Sequence, residues 1–537
     1  MQPLSNELCK RLRLKEAAEA EAAAEQNLVP ATPLLERVGA DSSNFGVWLQ
    51  GQMRDGLSTT KQVVVAARKA QHGVRPVPVW GLPERVIYRA LVDFILRNDP
   101  PLDRGPDAYL HFVEAPVVHA RELDQKKASE SGAQKGVFQF LTVGSSSTKY
   151  VVQSDITAFY EYVDHGVLAR ELLTKTGDHE AIQALTALLG ECQGHDYGLP
   201  QLLYASDRLS EVYADIVERN LLRKGWAVWR FNDDFRVAVS NYADALACLE
   251  DLAAAAREVG LTLNEVKTTT PRFTTYSMDH FGLSVDAELP EELRLDDPVD
   301  VVADYTEGAG EPDPAWAFEV LSKAWSPETP PDERAEDGLQ LSTLNGDGVR
   351  QLRRALGRAI RATTPDVLDD LVKFFAYAPS LTPWLCRYAV ASGASQLERA
   401  ATVLDQVLSR VSLGDWQRLW VLTAVDDLSL LGDAAPGDVS SRASAVNQLL
   451  HGRHSALVAS QALLTLAAGG YSTLEDVEHG LRERPDATKP WHLAALVRLH
   501  ARGLVTPQQY SAYRDEGGLE RTLLVAPQGE VSVGQGA

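Results

Sequence analysis

The chain is poor in sulfur: four cysteines and three methionines occur in 537 residues. Cys9, Cys192, Cys248 and Cys386 lie far apart and none belongs to a CxxC arrangement. That spacing argues against a zinc ligand set and a disulfide framework, and it suits ordinary thiols in a reducing cytoplasm. No run of 18 apolar residues is present, so no membrane-spanning helix is expected. The N-terminus, MQPLSNELCKRLRLKEAAEAEAAAEQ, lacks an apolar signal core and is too acidic for a transit peptide; its Ala, Glu and Leu content reads as a helix. Basic residues are also in deficit, 52 against 74 acidic ones, for a net charge of −22. The deficit is local. Residues 286–337 hold 17 Asp and Glu against Arg294, Lys323 and Arg334, a net of −14, which leaves −8 for the rest. Total charge therefore does not exclude a nucleic-acid partner, because binding follows the local patch.

What is present is a globular composition, 45% apolar and 23% charged, in a chain too long for one ordinary core. Residues 1–70 read as a helical segment. From 71 to 285, short strand patterns alternate with helices. Residues 286–340 are rich in Pro, Asp and Glu and read as an acidic linker or surface excursion containing one short helix, AWAFEVLSKAW. From 341 to 525, amphipathic helical patterns follow one another, among them GVRQLRRALGRAIRA, DWQRLWVLTAVDDLSLL and HSALVASQALLTLAAG. Successive helices with short turns suggest paired-helix stacking of the HEAT kind. Residues 526–537 read as a loose tail. The fold class expected is an α+β portion followed by an all-α helical-repeat domain.

Four adjacent aspartate pairs occur. Asp369-Asp370 and Asp426-Asp427 lie in helical patterns and read as solvated faces; Asp296-Asp297 lies in the acidic excursion. Asp233-Asp234 differs, because WAVWRF precedes it and FRVAV follows it, both rich in aromatic and β-branched residues. The pair is expected at the turn of a β-hairpin. Upstream, YVVQSDI reads as a strand ending at Asp155, with a helix beginning at HGVLARELL. If that strand pairs with the hairpin, three carboxylates meet, which is costly without a cation. Hard oxygen ligands favour Mg²⁺.

SDITAFY, GLPQLLYASDRLS, FNDDF and GLTLNEVK resemble, in order and spacing, the palm motifs of reverse transcriptases, and RPVPVWGLPERVIYRAL is similar to the fingers segment of the bacterial members. The likeness covers about residues 70–290 and implies a right-hand polymerase with fingers and palm over 71–285. It implies two Mg²⁺ ions, with Mn²⁺ as a substitute, held by Asp155, Asp233 and the carbonyl of Ile156, with Asp234 less directly engaged. It places Phe159 and Tyr160 at the incoming nucleotide, where the Tyr160 ring would exclude a 2′-hydroxyl, and Gln201 at the sugar. Arg75 and Arg85 would meet the triphosphate, Lys267 would place a cation near the leaving pyrophosphate, and MDHFGLSV (278–285) would form a primer-grip hairpin. The family commonly has Gly after the Gln of GLPQ; this chain has Leu202, which puts ordinary templated copying in doubt.

A palm followed by a long helical array looks like the abortive-infection and other defence-associated bacterial reverse transcriptases. That resemblance implies RNA-directed or template-independent DNA synthesis from dNTPs in antiphage defence, protein priming in some members, and homo-oligomers. DNA, RNA and a noncoding RNA are the partners implied, with no membrane. A retron or group II intron enzyme is the alternative, and a catalytically silent nucleic-acid-binding scaffold is the alternative of another class. In GVRQLRRALGRAIRA, Arg350, Arg354, Arg358 and Arg361 form a stripe, either a solvated face or a track for a phosphate backbone. Tyr377, Tyr388, Tyr471, Tyr510 and Tyr513 are the candidate priming tyrosines.

Overall fold

The computed structural model describes residues 2–24, 28–69, 73–130, 145, 147–281, 314–362 and 367–525. It is mostly helical, with two small antiparallel sheets, an α+β composition. The chain divides into two compact units. Of the described residues, a terminal unit holds those up to 94, 191–194 and those from 314 on, and a central unit holds those within 95–190 and 195–281.

The terminal unit opens with four helices, α1 (Asn6–Arg11), α2 (Leu14–Ala22), α3 (Leu35–Ala40) and α4 (Ser42–Asp55). The helical reading of residues 1–70 then fails. Strand β1 (Val63–Arg68) pairs with β2 (Val74–Val79), from Val63 opposite Val79 to Arg68 opposite Val74. Three successive valines favour the pleated backbone, and burial alternates along β1 as a half-covered strand requires. Helix α5 (Leu82–Ile95) follows.

The N-terminal helices share a core with the far end of the sequence. Helix Gly518–Leu524 packs on α3 and α4, Arg37 Nη1 donates to the Leu523 carbonyl at 2.9 Å, and the indoles of Trp416 and Trp420 both donate to the Leu28 carbonyl. The short helix expected in the acidic segment is Pro314–Lys323, and it packs on Gly346–Ala362. Beyond these, helices Thr382–Arg410, Asp415–Asp427, Val439–His451, Ala456–Gly469 and Lys489–Ala501 each pack on neighbours close in sequence. The first of them breaks at Gln396 (φ −140°, ψ 56°).

The central unit places α6 (Pro106–Glu130), β3 (Tyr150–Asp155), α7 (His165–Thr176), α8 (His179–Gln193), α9 (Tyr204–Arg223), β4 (Ala227–Phe231), β5 (Asp234–Val239), α10 (Tyr242–Glu258) and α11 (Phe273–Phe281) in chain order, α8 running on to the boundary of the unit. The strands form an antiparallel sheet in the order β3-β5-β4. A core of Tyr109, Phe112, Val113, Val151 and Tyr276, with Trp229 and Phe231 against it, joins α6 to the sheet and to α11. The outer edge of β3 is covered by residues 262–271: Gln153 and Thr269 exchange backbone hydrogen bonds at 2.8 and 2.9 Å, and Val151 donates to the Pro271 carbonyl. A sheet edge closed this way offers no pairing template.

Helix α11 overturns the expected hairpin at 278–281. Phe273, Tyr276 and Ser277 are buried at helical spacing, and the Tyr276 hydroxyl donates to the Val113 carbonyl at 2.7 Å. Residues 282–285 of that motif lie outside the described residues, as do Asp296-Asp297 and the tail from 526 on.

Candidate metal centre at the end of the central sheet

Three carboxylates converge because of strand register. Asp155, the last residue of β3, lies opposite Asp234, the first of β5. Phe231 pairs with Asp234, so only Asn232 and Asp233 remain to turn the chain between β4 and β5. Asn232 takes a left-handed conformation (φ 55°), which Asn tolerates better than most residues. The turn thereby brings Asp233 to the other two, and one oxygen from each of Asp155, Asp233 and Asp234 lies within 4.8 Å of the others. The hairpin and the strand end were both legible in the sequence; their meeting was expected only if the strand paired with the hairpin, as β3 does with β5.

The segment along the β3 edge completes the cluster. Asn264 donates from its backbone to the Asp155 carbonyl at 2.7 Å, and a turn from Asn264 carries Lys267 back over the site. Lys267 Nζ lies 3.1 Å from Asp155 Oδ1, and the Asn264 amide donates to Asp155 Oδ2 at 3.0 Å. Asn264 was missed in the sequence, although it lies within the GLTLNEVK motif. Ile156, whose carbonyl was expected to add a ligand, donates its N–H to the Asp233 carbonyl and bridges to Leu263.

Electrostatics follow from burial and crowding. Burial, then the charges of Asp155 and Asp234, push the Asp233 carboxyl up to about 7, against the pull of Lys267. Asp234 is also raised, by burial first and by Asp155, with Arg236 and Lys267 opposing. Arg236 Nη1 is 3.9 Å from Asp234, donates to the Phe235 carbonyl and lies over the Phe112 ring. Burial works to lower the Lys267 ammonium, but Asp155, with Asp234 and Asp233, more than offsets it. The donor set is all hard oxygen, and burial together with two acidic neighbours holds one of its members well above the usual carboxylate range. A divalent oxygen-seeking cation such as Mg²⁺ fits those residues.

Tyr160 lies beside this end of the sheet. Its hydroxyl donates to Asp207 Oδ1 at 2.6 Å and accepts from Arg104 Nη1 at 3.0 Å. Phe159 is placed differently from the nucleotide contact expected of it: its ring is 2% exposed and packs edge-on to Tyr160 at 5.6 Å, as a core residue. The GLPQ loop runs beside them, Leu199 donating to the Tyr160 carbonyl and Gly198 to that of Val163. Gln201 is half-buried in the turn that follows. Leu202 has φ 69°, a conformation that favours glycine.

Other candidates lie in the terminal unit. Arg85 is not available to a triphosphate in this arrangement: it is 3% exposed, and its guanidinium donates twice to Glu21 Oε2, at 2.9 and 3.1 Å. Arg75 lies on β2 opposite Ala67. On helix Gly346–Ala362, Arg350 pairs with Asp347, Arg358 covers the Trp316 ring at 4.5 Å, Arg354 is half-buried and Arg361 is exposed. Of the tyrosines, Tyr388 is wholly buried, Tyr377 donates to Glu328, Tyr510 to the Leu524 carbonyl and Tyr513 to Glu478, and Tyr471 is exposed. All four cysteines are buried free thiols. Among the described residues no helix is long and apolar enough to cross a membrane.

No family model matches the chain, and no curated protein matches it. Among solved structures, apo telomerase from Candida Tropicalis aligns with a TM-score of 0.29 and 8% identity over 75% of this chain and 67% of that one. A likeness at that score carries no argument about this protein.

Proposed function

We propose that the chain is a nucleotidyltransferase of the reverse transcriptase type, with Asp155 and Asp233 as its principal metal ligands. The observation that supports this most is the convergence of three carboxylates from a strand end and a tight hairpin onto one point, with Lys267 beside them. A structural role gives no physical reason to bury like charges together, whereas phosphoryl transfer gives one. Two Mg²⁺ ions would supply stabilisation of the attacking and leaving oxygens. Asp155 and Asp233 would hold them with the Ile156 carbonyl, and Asp234, drawn toward Arg236, would be engaged less. Lys267 fixes the Asp155 carboxylate and adds positive charge where pyrophosphate would leave. Tyr160 would stand beneath the sugar and Gln201 pack beside it, selecting dNTPs over rNTPs.

Within that class the reading is a DNA polymerase of antiphage defence, cytoplasmic and homo-oligomeric. A helical array of the HEAT kind would follow the polymerase portion, and a protein tyrosine could serve as primer. Leu202 favours synthesis without a template, since a side chain where the family commonly has Gly would crowd the templating base pair. Purified full-length protein with Mg²⁺ and labelled dNTPs, with and without template, tests the proposal. Incorporation that disappears in Asp155→Ala and Asp233→Ala supports it; equal signal in those variants overturns it, and no incorporation by the wild type leaves the binding-scaffold reading. Template dependence, or a noncoding RNA bound to the purified protein, would move it to the retron or intron reading. Product that stays with the protein after denaturation and is released by protease identifies protein priming.

A further inference from the structure

We infer that Arg104 and Asn232 are positioning residues of this site, joining the turn that carries Asp233 to the hydroxyl of Tyr160 in one hydrogen-bonded lattice. The inference rests on the polymerase reading and deepens it. Arg104 lies in the connection before α6, remote in sequence from every motif that marks the site. The two hydrogens of its Nη2 are shared among Asn232 Oδ1 at 2.8 Å, Ser210 Oγ at 2.9 Å and Glu211 Oε1 at 3.1 Å, while its Nη1 reaches the Tyr160 hydroxyl at 3.0 Å and Asp207 Oδ1 at 2.9 Å. Asn232 is held a second time, through its backbone: its carbonyl accepts from Arg230 Nη1 at 2.9 Å. Arg230 is anchored by Glu211 Oε2 at 2.7 Å and Glu218 Oε2 at 3.1 Å. One carboxylate, Glu211, thus bridges the two arginines that grip the turn from opposite ends of the same residue.

The anchors Asp207, Ser210, Glu211 and Glu218 come from α9 and recur at steps of three, four and seven, so they share a face of that helix. The first position of the Asn-Asp-Asp run is therefore not free to vary. Its residue must accept a left-handed φ and present an acceptor to Arg104. Glycine meets the first demand alone, alanine neither. Outer groups that orient a metal ligand typically contribute ten- to a hundredfold to metal affinity. Because the same guanidinium binds Tyr160, the lattice also fixes the ring that would face the nucleotide sugar.

Three variants separate the links. Asn232→Gly keeps the backbone conformation and removes the acceptor; Arg104→Gln removes the fork; Tyr160→Phe removes only the hydroxyl. Tb³⁺ binding, followed by its sensitised luminescence, reads the metal site without catalysis, with Asp155→Ala as the control that abolishes it. Asn232→Gly and Arg104→Gln should each weaken Tb³⁺ binding by about tenfold, at unchanged far-UV circular dichroism, and Tyr160→Phe should leave it unchanged. The preference for dNTP over rNTP should fall several-fold in both Arg104→Gln and Tyr160→Phe. If Asn232→Gly binds Tb³⁺ as wild type does, the turn is not held by this lattice and the inference is overturned, whether or not Arg104→Gln folds. If the wild type itself binds no Tb³⁺, the metal reading falls and takes the inference with it; binding without incorporation removes the polymerase reading alone.

Discussion

Two adjacent aspartate pairs, alike on paper, are handled in opposite ways. Asp426-Asp427 ends helix Asp415–Asp427 in the terminal unit. Asp427 is exposed as a residue, though the partial burial of its carboxyl and the charge of Asp426 raise it to about 6, and Asp426, whose side chain is 9% exposed, is clasped by both terminal nitrogens of Arg498. Asp426 is thus not the solvated acid its helical setting suggested, but its charge is matched by an opposite one. Asp233-Asp234 stands at a turn of the central unit and meets a third carboxylate instead. Its nearby cations, Lys267 and Arg236, leave the Asp233 carboxyl raised to about 7. A matched pair is what a fold needs; a crowded trio is what a cation needs. The lesson lies in the third group: an Asp-Asp sequence means little until another strand delivers its own acid.

The largest effect that would break this contrast is on chemistry. Asp155→Ala or Asp233→Ala should lower dNTP incorporation by on the order of a thousandfold or more, while Asp426→Ala leaves it within about twofold of wild type when equal amounts of folded protein are compared. Loss of incorporation in all three at matched folded protein would mean that the pairs are not distinct. Asp234→Ala should fall between, consistent with its drift toward Arg236.

The parts of the site that were legible share one property: local pattern dictates them. Alternation around FNDDF predicts two strands, a two-residue gap predicts the turn, and YVVQSDI predicts a strand ending at its acid. What stayed hidden depends on long-range delivery. Arg104 reaches the turn from 128 residues away in sequence, and no period or motif marks it. Arg85 carried the expected ten-residue separation from Arg75, but Glu21, on a helix more than sixty residues upstream, takes its charge. Strand β1 was missed because its valines follow a long helical stretch and its partner is a proline-bearing strand. The primer-grip expectation weighed a resemblance over the spacing of Phe273 and Tyr276, which is helical. The grouping of the first helices with the last ones could not be read from order along the chain at all.

The terminal unit should lose stability in acid, for a reason the metal centre does not share. His492 is 1% exposed and its Nε2 shares a hydrogen bond with Ser460. Burial, then Arg484 and Lys489, lower it from 6.5 to about 3. The unfolded chain therefore binds the proton more tightly than the folded one, and stability present above pH 6.5 is lost as pH falls toward 3. Denaturant titrations should show a loss of roughly 3 kcal/mol by about pH 4.5 that His492→Gln reduces; a flat profile in both proteins would mean that the ring is solvated. Somewhat smaller is the cost of breaking the matched aspartate: Asp426→Ala should destabilise the terminal unit by about 2 kcal/mol, because the partly buried Arg498 loses its partner.

The last effect has the opposite sign, and that sign is the sharpest form of the contrast. In the central unit a carboxylate is removed from a cluster of its own kind. Asp233→Asn should stabilise the metal-free protein near neutral pH, even as it abolishes incorporation. The folded state holds the Asp233 proton more tightly than the unfolded one, so wild-type stability falls as pH rises from 3.8 to about 7. The advantage of the variant should therefore be absent in acid and grow through that window. Adding Mg²⁺ should raise the melting temperature of the wild type and not that of Asp233→Asn, since binding to the folded state stabilises by mass action. Thermal unfolding in chelator and in Mg²⁺, at two pH values, measures all of this. A destabilised Asp233→Asn would show that the turn needs the carboxylate for its own conformation, and the trio would then be an ordinary part of the fold rather than a site strained toward a cation.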